Sequence, residues 1–413
     1  MLNSNIMPGM GLADPHAIVE GDTVYIMCGS DKSPKTEDTW RMDKWMILSS
    51  KDLINWKLEG EILPKDTYIG DCDENCWAGF NYKKNDKFYW FFSNKDLSIG
   101  VMTADKPEGP YVDALKKPLI PEGFSKTKSY DPCVYCEGDD NIIVFGVNHY
   151  YYAELSEDLL SVTSEAKPLL VFDKDGNEVI TSDKSTVFKH KGRYYLCYGA
   201  KYAIADNVRG PYTFMGEFIG GGHNDVFTFK DKLYICNEFH DTNIFYRGIR
   251  VMELNFNEDG TVVLPEYNPD DIILEKKWDF SEYNQNFFLT NMEDCEYING
   301  YIKYNTDASV GFRSPVFPGV LMKEDGNFEI LIDNIENADS LIIEIQIVDN
   351  NGCYWFGEPR YQKIEIKLKD GEGKYSFPVT INEKESVLRQ ITIYGSNLNI
   401  NKEIHIKSMK YYL

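Results

Sequence analysis

Long apolar runs are missing from this sequence. No stretch approaches the roughly 18 consecutive apolar residues that a membrane-spanning helix needs, and residues 1–10 have neither the basic start nor the apolar core of a secretion signal. The expectation is a cytoplasmic chain with no membrane partner, or a secreted one whose signal has been trimmed. Paired CxxC motifs of the zinc-binding kind are also missing. Of the nine Cys, only Cys133 and Cys136 have that spacing, and no second pair follows, so reduced thiols are expected. There is no compact acidic loop of the EF-hand type. An excess of positive charge is lacking too: Lys and Arg number 43 against 66 Asp and Glu, a formal net charge of -23. Such a chain is repelled by a phosphate backbone, so a nucleic acid is not an expected partner and a neutral ligand fits better.

What is abundant is aromatic and strand-forming. Aromatic residues make up 14%, with 28 Tyr and 23 Phe, side chains that suit half-buried strands and flat, sugar-stacking surfaces. One phrase recurs at Gly21–Ile26, Asn85–Trp90, Asp139–Val144, Lys191–Leu196 and Lys230–Ile235: a polar turn, then a run of aromatic and β-branched residues. Apolar runs such as Ala17–Val19, Val134–Cys136 and Val226–Phe229 precede the phrase, so each copy reads as a hairpin. A strand, a polar corner and another strand follow most copies, as in Trp45–Leu48 with Asp52–Trp56, and the corner Glu108–Tyr111 returns as Arg209–Tyr212.

Four strands per repeat, with no amphipathic helix between repeats, is the pattern of a propeller blade, whose faces are buried only against neighbouring blades. The spacing predicts an all-β chain: a five-bladed β-propeller within residues 1–266, then a linker around Asn268–Asp271. A β-sandwich of jelly-roll type is expected over residues 274–413, from runs such as Phe328–Ile332, Leu341–Val348, Lys363–Leu368, Gln390–Tyr394 and Ile404–Ile406.

In a propeller the innermost strand of every blade lines a central funnel, so acids just ahead of the repeat phrases can meet there although they are far apart in sequence. Three lie at such places: Asp14, Asp131 and Asp183. Two share a setting, Ala13-Asp14-Pro15 and Tyr130-Asp131-Pro132, where the proline is expected to hold the acid in an extended conformation and so to aim its carboxylate.

Seven segments in order, Ala13–Pro15, Ser49–Trp56, Cys76–Ala78, Asp105–Tyr111, Tyr130–Pro132, Phe188–Leu196 and Gly222–Val226, resemble glycoside hydrolase family 43 across residues 11–264. The resemblance implies an inverting, mostly exo-acting hydrolase of arabinosides, xylosides or related sugars. Such chemistry uses one carboxylate to activate water and one carboxylic acid to protonate the leaving oxygen. Carried across by motif, Asp14 is the base, Asp131 tunes and orients, and Asp183 is the acid. No cofactor is required for hydrolysis, and the resemblance allows a structural calcium ion in the propeller channel, with no protein metal ligand assigned.

The sequence departs from the family at the acid, where Glu is usual five residues before the strand's Phe188. Asp183 is one methylene shorter, which places its proton on the order of 1 Å further from the leaving oxygen. Lys184 beside it favours the ionised form if the two side chains approach. Glu178 is the alternative donor. A galactosidase or anhydro-sugar hydrolase of the same fold, or a catalytically impaired carbohydrate-binding propeller, are the competing functions.

Four further residues are candidates for substrate binding. His223 and Asn224, in Gly222-His223-Asn224-Asp225, resemble a family segment facing the channel, and Arg247 resembles a blade-five arginine that faces the acids. Trp77 is expected to wall the sugar site, whereas Trp56 and Trp90 are expected to pack between blades. The second domain resembles appended carbohydrate-binding sandwiches in strand pattern and in aromatics such as Tyr354-Trp355-Phe356.

Overall fold

The computed structural model describes residues 3–35, 39–72, 74–219, 222–264, 275–298, 300–350, 357–381, 384–396 and 401–413. The expected linker at Asn268–Asp271, both expected domain boundaries and the triplet Tyr354–Phe356 lie outside the described residues. The described residues are almost entirely strand and turn, and none forms a helix long and apolar enough to cross a membrane. Their cysteines are all free.

The chain divides into two compact units. The first holds sheets whose innermost strands are Leu12–Glu20, Cys76–Lys84, Cys133–Glu137, Ser185–His190 and Asn224–Phe229. Each of these touches the next, and Asn224–Phe229 returns to Leu12–Glu20, so the inner strands close a ring. The ring is fastened by the N-terminal strand Asn3–Ile6, which pairs with Tyr246–Glu253 as the outermost strand of the last sheet. The repeated phrases are the hairpin turns of these sheets. Lys84 faces Lys87 across Asn85 and Asp86, whose φ of 50° and 61° match the two positive-φ positions of a type I′ turn, and Lys230 with Asp231 repeats this at 48° and 63°. The expected corner at Asp52 is held by its own carboxylate, which accepts the backbone N–H groups of Ile54 and Asn55 at 2.9 and 2.8 Å.

Apolar side chains fill the gaps between adjacent sheets. Trp45, Trp90 and Phe92 pack between the first and second, while Ile249, Phe227 and Leu48 lie between the fifth and first. Trp90 is wholly buried and Trp56 partly so, both inside this packing. Burial of these faces is the main stabilising term, because no single sheet of four or five strands can cover itself.

The second unit comprises Ser33–Thr39, His240–Phe245 and Asp271–Leu413. It contains two six-stranded antiparallel sheets, one centred on Glu403–Tyr412 and Gly326–Asn334, the other on Ser386–Gly395 and Ser340–Asp349. Their inward residues, among them Ile330, Ile343, Ile391 and Ile406, form one core, which makes the unit a β-sandwich. The two short segments from earlier in the chain join it through Lys35, whose Nζ lies 2.8 Å from Asp294, and Thr242, which accepts from Asn286 at 2.9 Å.

Candidate active site

The Asp-Pro motifs do not adopt the extended conformation expected of them. Asp14 and Asp131 have φ of 54° and 52°, in the left-handed region. Asp is among the few side chains that tolerate this region, and surrounding contacts hold it there against an intrinsic cost. Asp14 sits in a register shift between Ala13 and His16, with its N–H donating to Glu238 Oε2 at 3.3 Å. The N–H of Asp131 donates to Ser93 Oγ at 3.0 Å, and that hydroxyl donates to the carbonyl of Ala78. Both acids are therefore aimed by a bent strand end rather than by an extended one.

The two carboxylates meet at His223. Its Nδ1 lies 2.7 Å from Asp14 Oδ1 and its Nε2 3.2 Å from Asp131 Oδ2, both poorly aligned as hydrogen bonds, so the attraction is chiefly Coulombic. Arg247 approaches Asp14 from the other side: Nη1 donates to Asp14 Oδ1 at 3.1 Å and to Glu238 Oε2 at 3.0 Å. The rest of the guanidinium grips Asp31 through Nε at 3.0 Å and Nη2 at 2.8 Å, a two-pronged pairing that locks its plane. Asp14, Asp131, His223, Glu238 and Arg247 are all buried.

These neighbours push the two acids apart in acidity. Burial works against ionisation of Asp14, yet Arg247 and His223 outweigh it and hold the carboxyl well below the usual range. For Asp131 burial prevails over His223, and with the charges of Asp183 and Asp14 it raises the group to about 6. His223 is raised well above its ordinary value: burial opposes its charge, but Asp14 and Asp131 together override it. A cationic imidazole between an ionised and a readily protonated carboxyl is the result.

The fourth sheet contributes differently. The left-handed residue ahead of its inner strand is Lys184, with φ of 72°, and its N–H donates to Asp131 Oδ2 at 3.2 Å. Lys184 Nζ lies 3.9 Å from Asp183 Oδ1 and 3.7 Å from Glu238 Oε1. The Asp183 side chain is about one-third exposed, at 34%, and its carbonyl accepts the hydroxyl of Tyr150 at 2.6 Å. Glu178 pairs instead with His149 at 3.0 Å, in a half-exposed contact apart from the Asp14 cluster.

A scan against protein families matches the description "Glycosyl hydrolases family 43" over residues 6–262. The chain belongs to glycosyl hydrolases family 43. It is 27% identical to an arabinoxylan arabinofuranohydrolase of Paenibacillus polymyxa over 60% of this chain and 49% of the relative, so the match spans about half the length of that protein. It is 26% identical to a xylosidase/arabinosidase of Bacteroides ovatus over 63% of this chain and 97% of the relative. A family 43 arabinoxylan arabinofuranohydrolase from Bacillus subtilis, solved in complex with cellotetraose, shares the fold over 98% of this chain and 96% of that one, with 18% identity and a TM-score of 0.52. Membership of family 43 makes the chain a glycoside hydrolase and agrees with a propeller in the first unit; the second unit, beyond the matched residues, is the β-sandwich described above.

Of the residues expected to bind substrate, Arg247 and His223 join the acidic cluster. Trp77 is half-buried beside Tyr130, the neighbour of Asp131, with ring centroids 6.0 Å apart and Lys95 Nζ 5.8 Å above the indole. Asn224 is turned to the backbone, where its Nδ2 donates to the carbonyls of Gly199 and Gly222 at 3.4 Å.

Asp14, His223 and Glu238 present ligand atoms within 4.8 Å of one another, the spacing of a metal site. The donor set does not fit a cation: Arg247 Nη1 already bridges Asp14 and Glu238, and the imidazole between the two acids favours its protonated form.

Glu238 is the residue that sequence reading missed. It follows Leu233–Cys236 in the strand Lys232–Asn243 and is buried together with its neighbour Asn237. The signal was there as a polar pair interrupting an apolar strand, a pattern that marks buried polar groups with partners elsewhere. A Cβ at Gly222 would overlap its carboxylate, so glycine at 222 makes room for the acid.

Proposed function

We propose that this chain is an inverting, exo-acting glycosidase that removes single arabinofuranosyl or xylosyl residues from oligosaccharides. The observation that carries the reading is Asp14, held ionised by Arg247 and His223 at the end of an inner strand of the ring. In the proposed reaction Asp14 takes a proton from water as the water oxygen bonds to the anomeric carbon. The glycosidic C–O bond breaks on the opposite face, and Asp183 gives its proton to the departing oxygen. Asp131 orients His223 and tunes the acidity of the site, and Trp77 offers an apolar face to the sugar.

The names of the relatives, arabinofuranohydrolase and xylosidase/arabinosidase, support the choice of sugars. The test is hydrolysis of a panel of aryl α-L-arabinofuranosides, β-D-xylosides and galactosides, with the anomeric configuration of the first product followed by NMR. Release of one of the two pentoses with inversion is expected. Net retention overturns the mechanism, and turnover of galactosides alone overturns the sugar assignment. The pairing of a short acid with Lys184 favours one second reading, a carbohydrate-binding propeller with impaired proton donation, and turnover confined to activated glycosides, with natural oligosaccharides bound but not cleaved, selects it.

A further inference from the structure

Lys184 is a conspicuous neighbour for a proton donor, because a cation beside a carboxylic acid draws its proton away. Its Nζ is 3.9 Å from Asp183 and 3.7 Å from Glu238, a buried acid packed so closely on Gly222 that a Cβ there would collide with it. We propose that Glu238 is a positioning residue that shares the charge of Lys184 and so weakens its pull on Asp183. The proposal rests on Asp183 being the donor in the function proposed above.

The groups around both acids agree with this division. Asp183 is faced by the cation Lys184, by Asp131, and by the phenols Tyr130 and Tyr150, which carry no charge at neutral pH. Glu238 is faced by Arg247, Lys184 and His223, with Asp14 alongside. Removing the charge of Glu238 concentrates Lys184 on Asp183 and favours its carboxylate. Removing the charge of Lys184 leaves Asp183 among like charges and favours its acid form.

The experiment compares wild type, Glu238→Gln, Lys184→Met and the double variant by two readouts. One is the basic limb of kcat/KM on a glycoside with a poor leaving group, and the other is the carboxyl 13C titration of Asp183 by NMR. Glu238→Gln is expected to lower both by about one pH unit and Lys184→Met to raise both by a similar amount, the low end of what one adjacent charge does. The double variant is expected to return towards wild type. An Asp183 titration unmoved in Glu238→Gln, or moved downwards in Lys184→Met, overturns the proposal, and the NMR readout decides this even where a variant is inactive. The donor reading is tested separately by Asp183→Asn, so its failure is distinguishable: poor-leaving-group turnover then survives that substitution whatever Glu238 does.

Discussion

His223 Nδ1 lies 2.7 Å from Asp14 Oδ1, while the opposite ring nitrogen lies 3.2 Å from Asp131, so one imidazole from the last sheet spans acids of the first and third. The two acids nevertheless differ in acidity, because Arg247 reaches Asp14 and not Asp131. Environments that drive neighbouring carboxyls apart are how one site holds a base and a protonated group together.

Asp14→Asn keeps the shape of the base and removes its charge. The expected outcome is a fall in kcat/KM of about 10²–10⁴-fold, the range of a general base, on activated and unactivated substrates alike. Steady-state kinetics on aryl glycosides with good and poor leaving groups measure it.

Asp183→Asn has a leaving-group signature instead. Turnover of glycosides with poor leaving groups is expected to fall by about 10²–10⁴-fold, whereas dinitrophenyl glycosides, which need little protonation, lose much less. Equal losses on both classes contradict the donor role.

Arg247→Met strands Asp31, Asp14 and Glu238 without their shared cation. Leaving buried charge unpaired costs about 3–5 kcal/mol, so a clear drop in Tm is expected, together with loss of activity. Thermal unfolding followed by circular dichroism reads the first effect independently of the second.

Asp131 shapes the pH dependence of stability. Its folded-state value of about 6 exceeds the ordinary 3.8, so between these values the folded protein holds the proton more tightly than the unfolded chain. The stability contributed by this group is therefore present in full below about pH 4 and lost as pH rises through 6. Asp131→Asn is expected to flatten that fall, which urea unfolding of both proteins at pH 4.5 and 6.5 tests.

Much of the fold was legible because it is written in local chemistry. Turn residues such as Asn85-Asp86 and Lys230-Asp231 take positive φ, and the runs after them have the strand period, so hairpins can be counted without coordinates. The convergence of Asp14, His223 and Arg247 was legible through motif order along the repeats. The conformation at Asp14 and Asp131 was not: the proline rule describes a local steric preference, and here contacts from Glu238 and Ser93, 224 and 38 residues away, decide against it.

Taken alone, the sequence determined the all-β class, the repeating hairpins and which acids stand at the strand ends, since each follows from interactions among residues a few positions apart. The tertiary structure alone decided that Glu238 joins the cluster, that His223 bridges the two acids and that Lys184 stands between Asp183 and Glu238. Those pairings are contacts between separate strands of a closed ring. Their energies depend on burial and on distances between 2.7 and 3.9 Å that no local pattern encodes.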